Sequence, residues 1–278
     1  MTTKQSNTQC NTIAQPPMTA KAIKAKYKDL TDQYPAINVG QVPYRTLTHL
    51  WQFYDLNAKQ LGMLGLLAYW SAYTIDAEEY NVPRISPLWI AKRLGYAEKQ
   101  ASRHVKQIKQ LLLELHQFEL IKIVPDHATK TQTILIDHDQ DHATGFSKLY
   151  APTIQTILDQ SKGMTTLYRV ALYVAIRTAT YETGPLNVPV MDYPPSYLAK
   201  VLGTSPSTIQ RHLAWLRDHG AICWYQCVMN NVYHTVKYIY SDPVNVAALV
   251  PWIMDHIDKD PSKPDPDAQT SWIAKVVA

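Results

Sequence analysis

The sequence predicts an α+β protein, mainly α-helical with small β-hairpins, in which one structural unit occurs twice. Three observations predict this: the chain matches itself at a constant offset, an apolar helical run precedes each copy, and two strand-like runs follow each copy. At a prior of about 150 residues per domain, the 278 residues indicate two domains. Hydrophobic residues make up 46% of the chain, as is ordinary for a protein that folds.

The self-match joins WIAKRLGYAEKQASRHVKQI, which begins at Trp89, to YLAKVLGTSPSTIQRHLAWL, which begins at Tyr197. Six positions are identical, and the two members of each pair are 108 residues apart. They are Ala91, Lys92, Leu94, Gly95, Arg103 and His104 in the first copy, and Ala199, Lys200, Leu202, Gly203, Arg211 and His212 in the second. A match of this kind indicates an internal duplication, so we expect each copy to form its own domain.

The sequences around the two copies predict the same order of elements. Upstream, apolar helical runs begin near Leu56 and Met164, with Asn57 expected to cap the first and Thr165 or Thr166 the second. Downstream, strands are predicted at 120–124 and 131–136, and again at 222–229 and 232–240. Long helix, short extended piece, helix, glycine turn, helix and hairpin is the order of a winged helix-turn-helix. The sequence therefore predicts two tandem winged helix-turn-helix domains.

The turn between the two short helices of each copy contains a glycine. We expect Gly95 and Gly203 to adopt a positive φ, which ends the first short helix and turns the chain into the second. In the second copy Ser205 suits the N-cap and Pro206 the first helical position. The second helices of the two turns are predicted at about 98–115 and 206–219.

The predicted boundaries divide the chain into five parts. They are a flexible basic N-terminal arm at 1–43, a first winged-helix domain at 44–137, a linker with a short helix at 138–162, a second winged-helix domain at 163–241, and a C-terminal helix with an acidic tail at 242–278. Cys223 and Cys227 lie in an apolar run, so we expect them to be reduced core residues.

Basic residues are concentrated around the first turn, although the net charge of the whole chain is only +4. The stretch 84–112 holds seven Lys or Arg residues against the single acid Glu98. Lysine, arginine, amide and hydroxyl side chains on the outer face of such a helix are the types that contact phosphates and base edges. The predicted DNA-binding residues are Lys99, Gln100, Arg103, His104, Lys106, Gln107, Lys130, Ser207, Thr208, Gln210, Arg211 and His212.

The motifs IAKRLG followed by SRHVKQI, and LAKVLG followed by TIQRHLAWLRDHGAI, resemble the tandem winged-helix replication initiators of bacterial plasmids. They resemble more loosely the helix-turn-helix replication proteins of phages. The resemblance spans roughly 47–240 and implies binding to repeated origin sequences in double-stranded DNA and recruitment of host helicase or primase. The resemblance leaves open whether the protein forms a homodimer. The first recognition helix departs from the pattern because no Ser or Thr cap follows Gly95 and Tyr96.

The alternatives are a transcriptional regulator of the winged-helix type and a winged-helix module for protein–protein contacts. An enzyme is the weakest, because the chain contains neither the His-x-His pair of rolling-circle nucleases nor a phosphate-binding loop. We expect no cofactor and no metal. The chain carries no signal-peptide pattern and no apolar run of membrane-spanning length, which predicts a cytoplasmic protein without membrane contact.

Overall fold

The structure is a computed structural model, and it describes most of the chain. The described residues are 42–74, 79–126, 128–129, 131–136, 145–183, 188–229, 236–255 and 273–277. The predicted N-terminal arm lies outside them except for its last two residues. Lys130, at the tip of the first predicted hairpin, also lies outside the described residues, as does the acidic stretch 256–272.

The first half of the chain begins with a strand and a 3-10 helix and continues through three α-helices and four strands. They are β1 Tyr44–Thr48, the 3-10 helix His49–Phe53, α1 Ala58–Trp70, β2 Ala72–Thr74, β3 Glu79–Ile85, α2 Pro87–Arg93, α3 Glu98–Gln117, β4 Ile121–Asp126 and β5 Thr131–Ile136. Strands β2 to β5 form one antiparallel sheet in the order β2-β3-β5-β4.

The second half repeats this order after one additional strand and helix. Its elements are β6 Phe146–Tyr150, α4 Ala151–Gln160, α5 Met164–Thr178, β7 Tyr181–Thr183, β8 Val188–Val190, α6 Pro195–Val201, α7 Pro206–Asp218, β9 Cys223–Met229, β10 Val236–Ser241, the 3-10 helix Pro243–Asn245, α8 Val246–Asp255 and β11 Ile273–Val277. The described residues thus form an α+β fold of eight α-helices and small antiparallel sheets.

The sheets of the two halves differ. In the second half β7 pairs only with β8, and a three-stranded sheet runs in the order β10-β9-β11. A single bridge between Met191 and Tyr240 joins the end of β8 to β10, where the first half has the longer β3–β5 ladder. Strand β11 comes from the C-terminal segment, so this segment adds an edge to the second hairpin.

The local signals at the two turns are confirmed. Gly95 and Gly203 have φ values of 80° and 57°. Ser205 caps α7 by accepting a hydrogen bond from the Thr208 amide, and Pro206 occupies the first turn. Asn57 forms a capping box with Gln60 at the start of α1.

The predicted cap of the second long helix is wrong. The N-cap of α5 is Gly163, which offers no side-chain hydrogen bond, and its φ is 66°. Thr165 and Thr166 lie inside the first turn of the helix, and Thr166 is fully buried. The chain must leave Ser161 and turn sharply at this point, and a positive φ is accessible to glycine at little cost.

One continuous hydrophobic cluster extends through both halves, whereas the sequence favoured a separate core for each. Its centre is the contact between α1 and α5, the two long helices. The Cα of Gly62 lies so close to α5 that an added Cβ would be 2.0 Å from the carbonyl oxygen of Leu167. Gly65 approaches Val174 and Val170 in the same way one turn later. The absence of side chains at these two positions therefore lets the two halves share a core.

The stretch predicted as a linker is part of this packing. Strand β6 pairs antiparallel with β1 near the start of the described chain, so that Tyr44 lies opposite Tyr150. Helix α4, the short helix expected in this stretch, buries Ile154 and Ile157. These contacts are long-range, and sequence periodicity gave no sign of them.

A buried polar network ties the C-terminal segment to this stretch. Tyr173 donates a hydrogen bond of 2.6 Å to the Asp242 carboxylate, and Thr153 donates one of 3.0 Å. Asp242 also caps the 3-10 helix by accepting a hydrogen bond from the Val244 amide. Burial raises the pKa of the Asp242 carboxyl. Cys223 and Cys227 are buried and unpaired, and burial raises the pKa of Cys227 to about 12.

We predict that Gly62→Ala destabilises the protein by about 1–3 kcal/mol, the usual cost of overpacking a core, because the overlapping atoms belong to the Leu167 backbone. The sign is informative, since alanine in an unconstrained helix would stabilise by about 1 kcal/mol. Gly65→Ala is the matched control and should lose less stability. The added Cβ would lie 2.7 Å from a methyl group of the Val174 side chain, which can move more easily than backbone. Urea denaturation measures both; a Gly62→Ala protein as stable as the wild type would contradict this packing.

Candidate nucleic-acid interface

Helix α3 presents a row of cations to solvent. Lys99, Arg103 and Lys106 are exposed and follow one another at spacings of four and three residues, so they lie along one stripe of the helix. Within the described part of the chain, none of the three forms an ion pair or a hydrogen bond. Gln100 is exposed beside them. The row is therefore available to an anionic partner.

The opposite stripe of α3 holds the helix in place. Ala101, Ile108 and Leu112 are buried in the shared core, and Glu114 accepts a hydrogen bond of 2.8 Å from Gln60 of α1. At the start of the helix Lys92 forms an exposed ion pair of 2.8 Å with Glu98, whose pKa is lowered by the hydrogen bond and the charge of Lys92. The one acid among the first turns of α3 is thus neutralised by a lysine of α2.

His104 and Gln107 are only partly exposed. The His104 ring stacks on Tyr96, the residue after the turn glycine, with a centroid distance of 4.0 Å. Its Nδ1 lies 3.5 Å from Oε1 of the Gln107 side-chain amide. These two predicted contact residues therefore pack along the flank of α3, beside the exposed row.

Helix α7 offers a smaller polar surface. Ser207, Gln210 and Arg211 are exposed, and Thr208 is half-buried at the first turn. The Ser205 hydroxyl lies 3.0 Å from both the Ser207 and the Thr208 hydroxyls. Arg211 has no hydrogen bond or ion pair with any described residue. On this helix Arg211 is the one predicted basic contact residue.

His212, a predicted DNA-contact residue, is much less exposed than its neighbour Arg211. Only 9% of its surface is exposed, and its ring stacks against Tyr168 of α5 at 5.9 Å. Burial lowers the pKa of His212, and the positive charges of Arg169 and Arg211 lower it further. The aligned residues His104 and His212 differ in burial because their rings meet different neighbours, Tyr96 from a turn and Tyr168 from a helix.

Both turn-helix pairs rest on the same short segment, residues 161–169. The Tyr96 hydroxyl accepts a hydrogen bond from the Met164 amide at 3.0 Å, and the Gly163 amide donates one of 2.6 Å to the Leu94 carbonyl. From the other side, the Arg169 guanidinium lies 3.4 Å from the centre of the Trp215 ring on α7. Helices α3 and α7 are therefore held in a fixed relation through the beginning of α5.

Strand β3, next to the first hairpin in the sheet, contributes a further cation that the predicted set of contact residues omitted. Arg84 is exposed, lies where the register between β3 and β5 shifts, and has a positive φ of 53°. A non-glycine residue rarely adopts this conformation. Its charge lowers the pKa of Asp126 in the hairpin, although hydrogen bonds from Thr129 and Ala128 lower it more. Arg84 is the first residue of the basic stretch 84–112, so the charge pattern of the sequence could have identified it.

Arg169, Thr165 and Thr204 were also missed. They lie beside Arg211 and Thr208 in space, but Arg169 and Thr165 belong to a different helix. Their proximity depends on how α5 packs against α7, which no sequence motif encodes.

Comparison with known protein families, with curated proteins and with solved structures finds no match to this chain. Among the described residues no three His, Cys, Asp or Glu side chains are grouped closely enough to hold a metal ion. In the same part of the chain no helix is both long and apolar enough to cross a bilayer.

We predict that His212 makes the stability of the protein depend on pH. Its folded pKa lies below the unfolded value of about 6.5, so the unfolded chain binds more protons in this range. The stability that it contributes is complete above about pH 6.5 and is lost as the pH falls towards the folded pKa. Between about pH 7.5 and about pH 5.5, the free energy of unfolding should fall less steeply with falling pH for His212→Gln than for the wild type. Denaturant titrations at each pH measure it. Identical slopes would show that His212 titrates alike in both states.

Proposed function

We propose that the chain is a sequence-specific double-stranded DNA-binding protein with two tandem winged helix-turn-helix units. In this proposal α3 and α7 are the recognition helices, and the hairpins β4–β5 and β9–β10 are the wings. The order of elements supports it: each half contains a long helix, a short strand, two helices joined at a positive-φ glycine, and a hairpin.

The observation that carries the proposal is the row of Lys99, Arg103 and Lys106. None of the three has an ion-pair or hydrogen-bond partner among the described residues. An unpaired basic row on the second helix of a helix-turn-helix fits the phosphates and base edges of a major groove. A protein partner would need a matching acidic surface, and the protein–protein module is for this reason the weaker alternative.

The duplication favours a role on repeated sites. Two recognition helices held through one segment contact two stretches of DNA in a fixed relation, so one chain reads a longer site than one helix does. We propose on this basis that the protein is a plasmid or phage replication initiator, which binds repeated origin sequences and brings host helicase or primase to them. It acts without catalysis of its own. A regulator of transcription would use the same surface.

Selection from random duplexes, followed by binding assays over a range of salt concentrations, tests DNA recognition. With about six phosphate contacts, the slope of log K against log salt should be near −5. Replication of a plasmid that carries the selected site and this gene, in a host that cannot otherwise maintain it, separates an initiator from a regulator. Failure to bind any duplex would contradict the whole proposal.

We predict that Arg211→Ala weakens binding to the selected site about 5- to 150-fold, the loss of one bidentate contact to guanine, and leaves binding to unrelated DNA nearly unchanged. The melting temperature should stay the same, because Arg211 is exposed and has no partner in the described residues. A lower melting temperature in Arg211→Ala would instead indicate a structural role.

We predict the opposite pattern for Lys106→Ala. Binding to all sequences should weaken alike, and the salt slope should flatten by about one, because one phosphate contact is lost. Gel-shift titrations with selected and scrambled duplexes measure both effects. A loss confined to the selected site would place Lys106 against a base.

A further inference from the structure

A cleft lies between the start of α5 and the first turns of α7, and it is distinct from the exposed row on α3. It encloses about 760 Å³. Its polar lining consists of Thr165, Arg169, Thr204, Thr208, Arg211 and His212. Two arginines, one histidine and three threonines face the same space, and no carboxylate is among the lining residues.

His212 supplies an unused hydrogen-bond donor to this cleft. Its Nδ1 is buried and has no hydrogen-bond partner. Its Nε2 is not among the buried atoms without a partner, and it forms no hydrogen bond with a described residue. Leaving a lone pair unpaired in the interior costs less than leaving an N–H unpaired. This favours the neutral ring with its proton on Nε2, and His212 is one of the residues that line the cleft.

The two arginines differ in how they are held. Arg169 is held on two sides, because its Nη1 donates a hydrogen bond to the Ser161 hydroxyl and its guanidinium carbon lies over the Trp215 ring. Arg211 is exposed and has no partner among the described residues. Both charges lower the pKa of His212, as expected where positive potential is concentrated. The cleft thus combines one fixed cation with one free cation.

The aromatic rings of the cleft narrow the class of ligand. One face of Trp215 is covered by Arg169, and His219 stacks on the ring at 3.9 Å. Tyr168 stacks on His212. Because these rings already have stacking partners, the cleft provides little for a nucleobase. What remains is a set of hydroxyl, imidazole and guanidinium donors, which is suited to a tetrahedral oxyanion.

We propose that this cleft is a phosphate-binding site, in which His212 Nε2 and the hydroxyls of Thr165 and Thr204 hold the oxygen atoms and Arg169 supplies the fixed positive charge. The exposed Arg211 adds a second positive charge when the anion is free in solution, whereas on duplex DNA its side chain turns to the base edge. The phosphate is a backbone phosphodiester of duplex DNA beside the groove that α7 enters. The assignment of the phosphate to DNA rests on the proposed function, whereas the inference that the cleft binds a phosphate group does not. In this arrangement α5 contacts the DNA backbone while α7 reads the bases.

The first arm of the test uses pyrophosphate and inorganic phosphate on the full chain, without DNA. Isothermal titration at constant ionic strength, with chloride as the balancing anion, should detect binding to the wild type. Arg211→Ala should weaken it about tenfold or more, the effect of one charge-assisted hydrogen bond. Thr204→Val should weaken it several-fold while preserving the shape of the turn. Lys200→Ala is the matched control, because Lys200 is an exposed cation of α6 that does not line the cleft.

The second arm adds the selected duplex. If pyrophosphate competes with DNA, and Thr204→Val weakens DNA binding without changing the melting temperature, the phosphate belongs to the DNA backbone. If pyrophosphate binds at the cleft but does not compete, or if the protein binds no DNA, the phosphate site stands with a free phosphate compound as its ligand. Equal pyrophosphate affinity in the wild type, Arg211→Ala and Thr204→Val would overturn the site, whether or not the protein binds DNA.

Discussion

The close approach of α1 and α5 is the constraint on which the rest of the structure depends. These helices are the long helices of the two halves. They meet at Gly62, which faces the Leu167 backbone, and at Gly65, which faces the Val170 and Val174 side chains. At this distance apolar side chains of both halves enter one core, and dispersion contacts between them are made on every side. The two halves therefore form one body around a shared core.

The same packing fixes the candidate interface. The beginning of α5 carries Met164, which binds the first turn through Tyr96, and Arg169, which stacks on α7 through Trp215. Each recognition helix of the proposal is thus tied to one common segment by a hydrogen bond or a cation–π contact. A protein built in this way presents its two surfaces without first ordering them, which lowers the entropic cost of binding a two-part site.

The sequence predicted the parts of the fold that obey local rules. The positive φ of Gly95 and Gly203, the Asn57 and Ser205 caps and the α3 and α7 positions follow from backbone sterics, capping chemistry and helical periodicity. The pairing of β1 with β6 was not predictable, because about a hundred residues separate the strands. Periodicity also gives the direction of a side chain on its helix but not what packs over it, which is why the burial of His212 was not expected and Arg169 was missed.

The central claim is that α3 and α7 act together on one duplex as a rigid pair. Hydroxyl-radical footprinting on a selected duplex tests this most directly. We expect two protected stretches of DNA backbone with the wild type. One stretch should be lost when Lys99, Arg103 and Lys106 are all replaced by alanine. The other should be lost in Arg211→Ala. A single protected stretch that both variants weaken equally, or no protection at all, would contradict it.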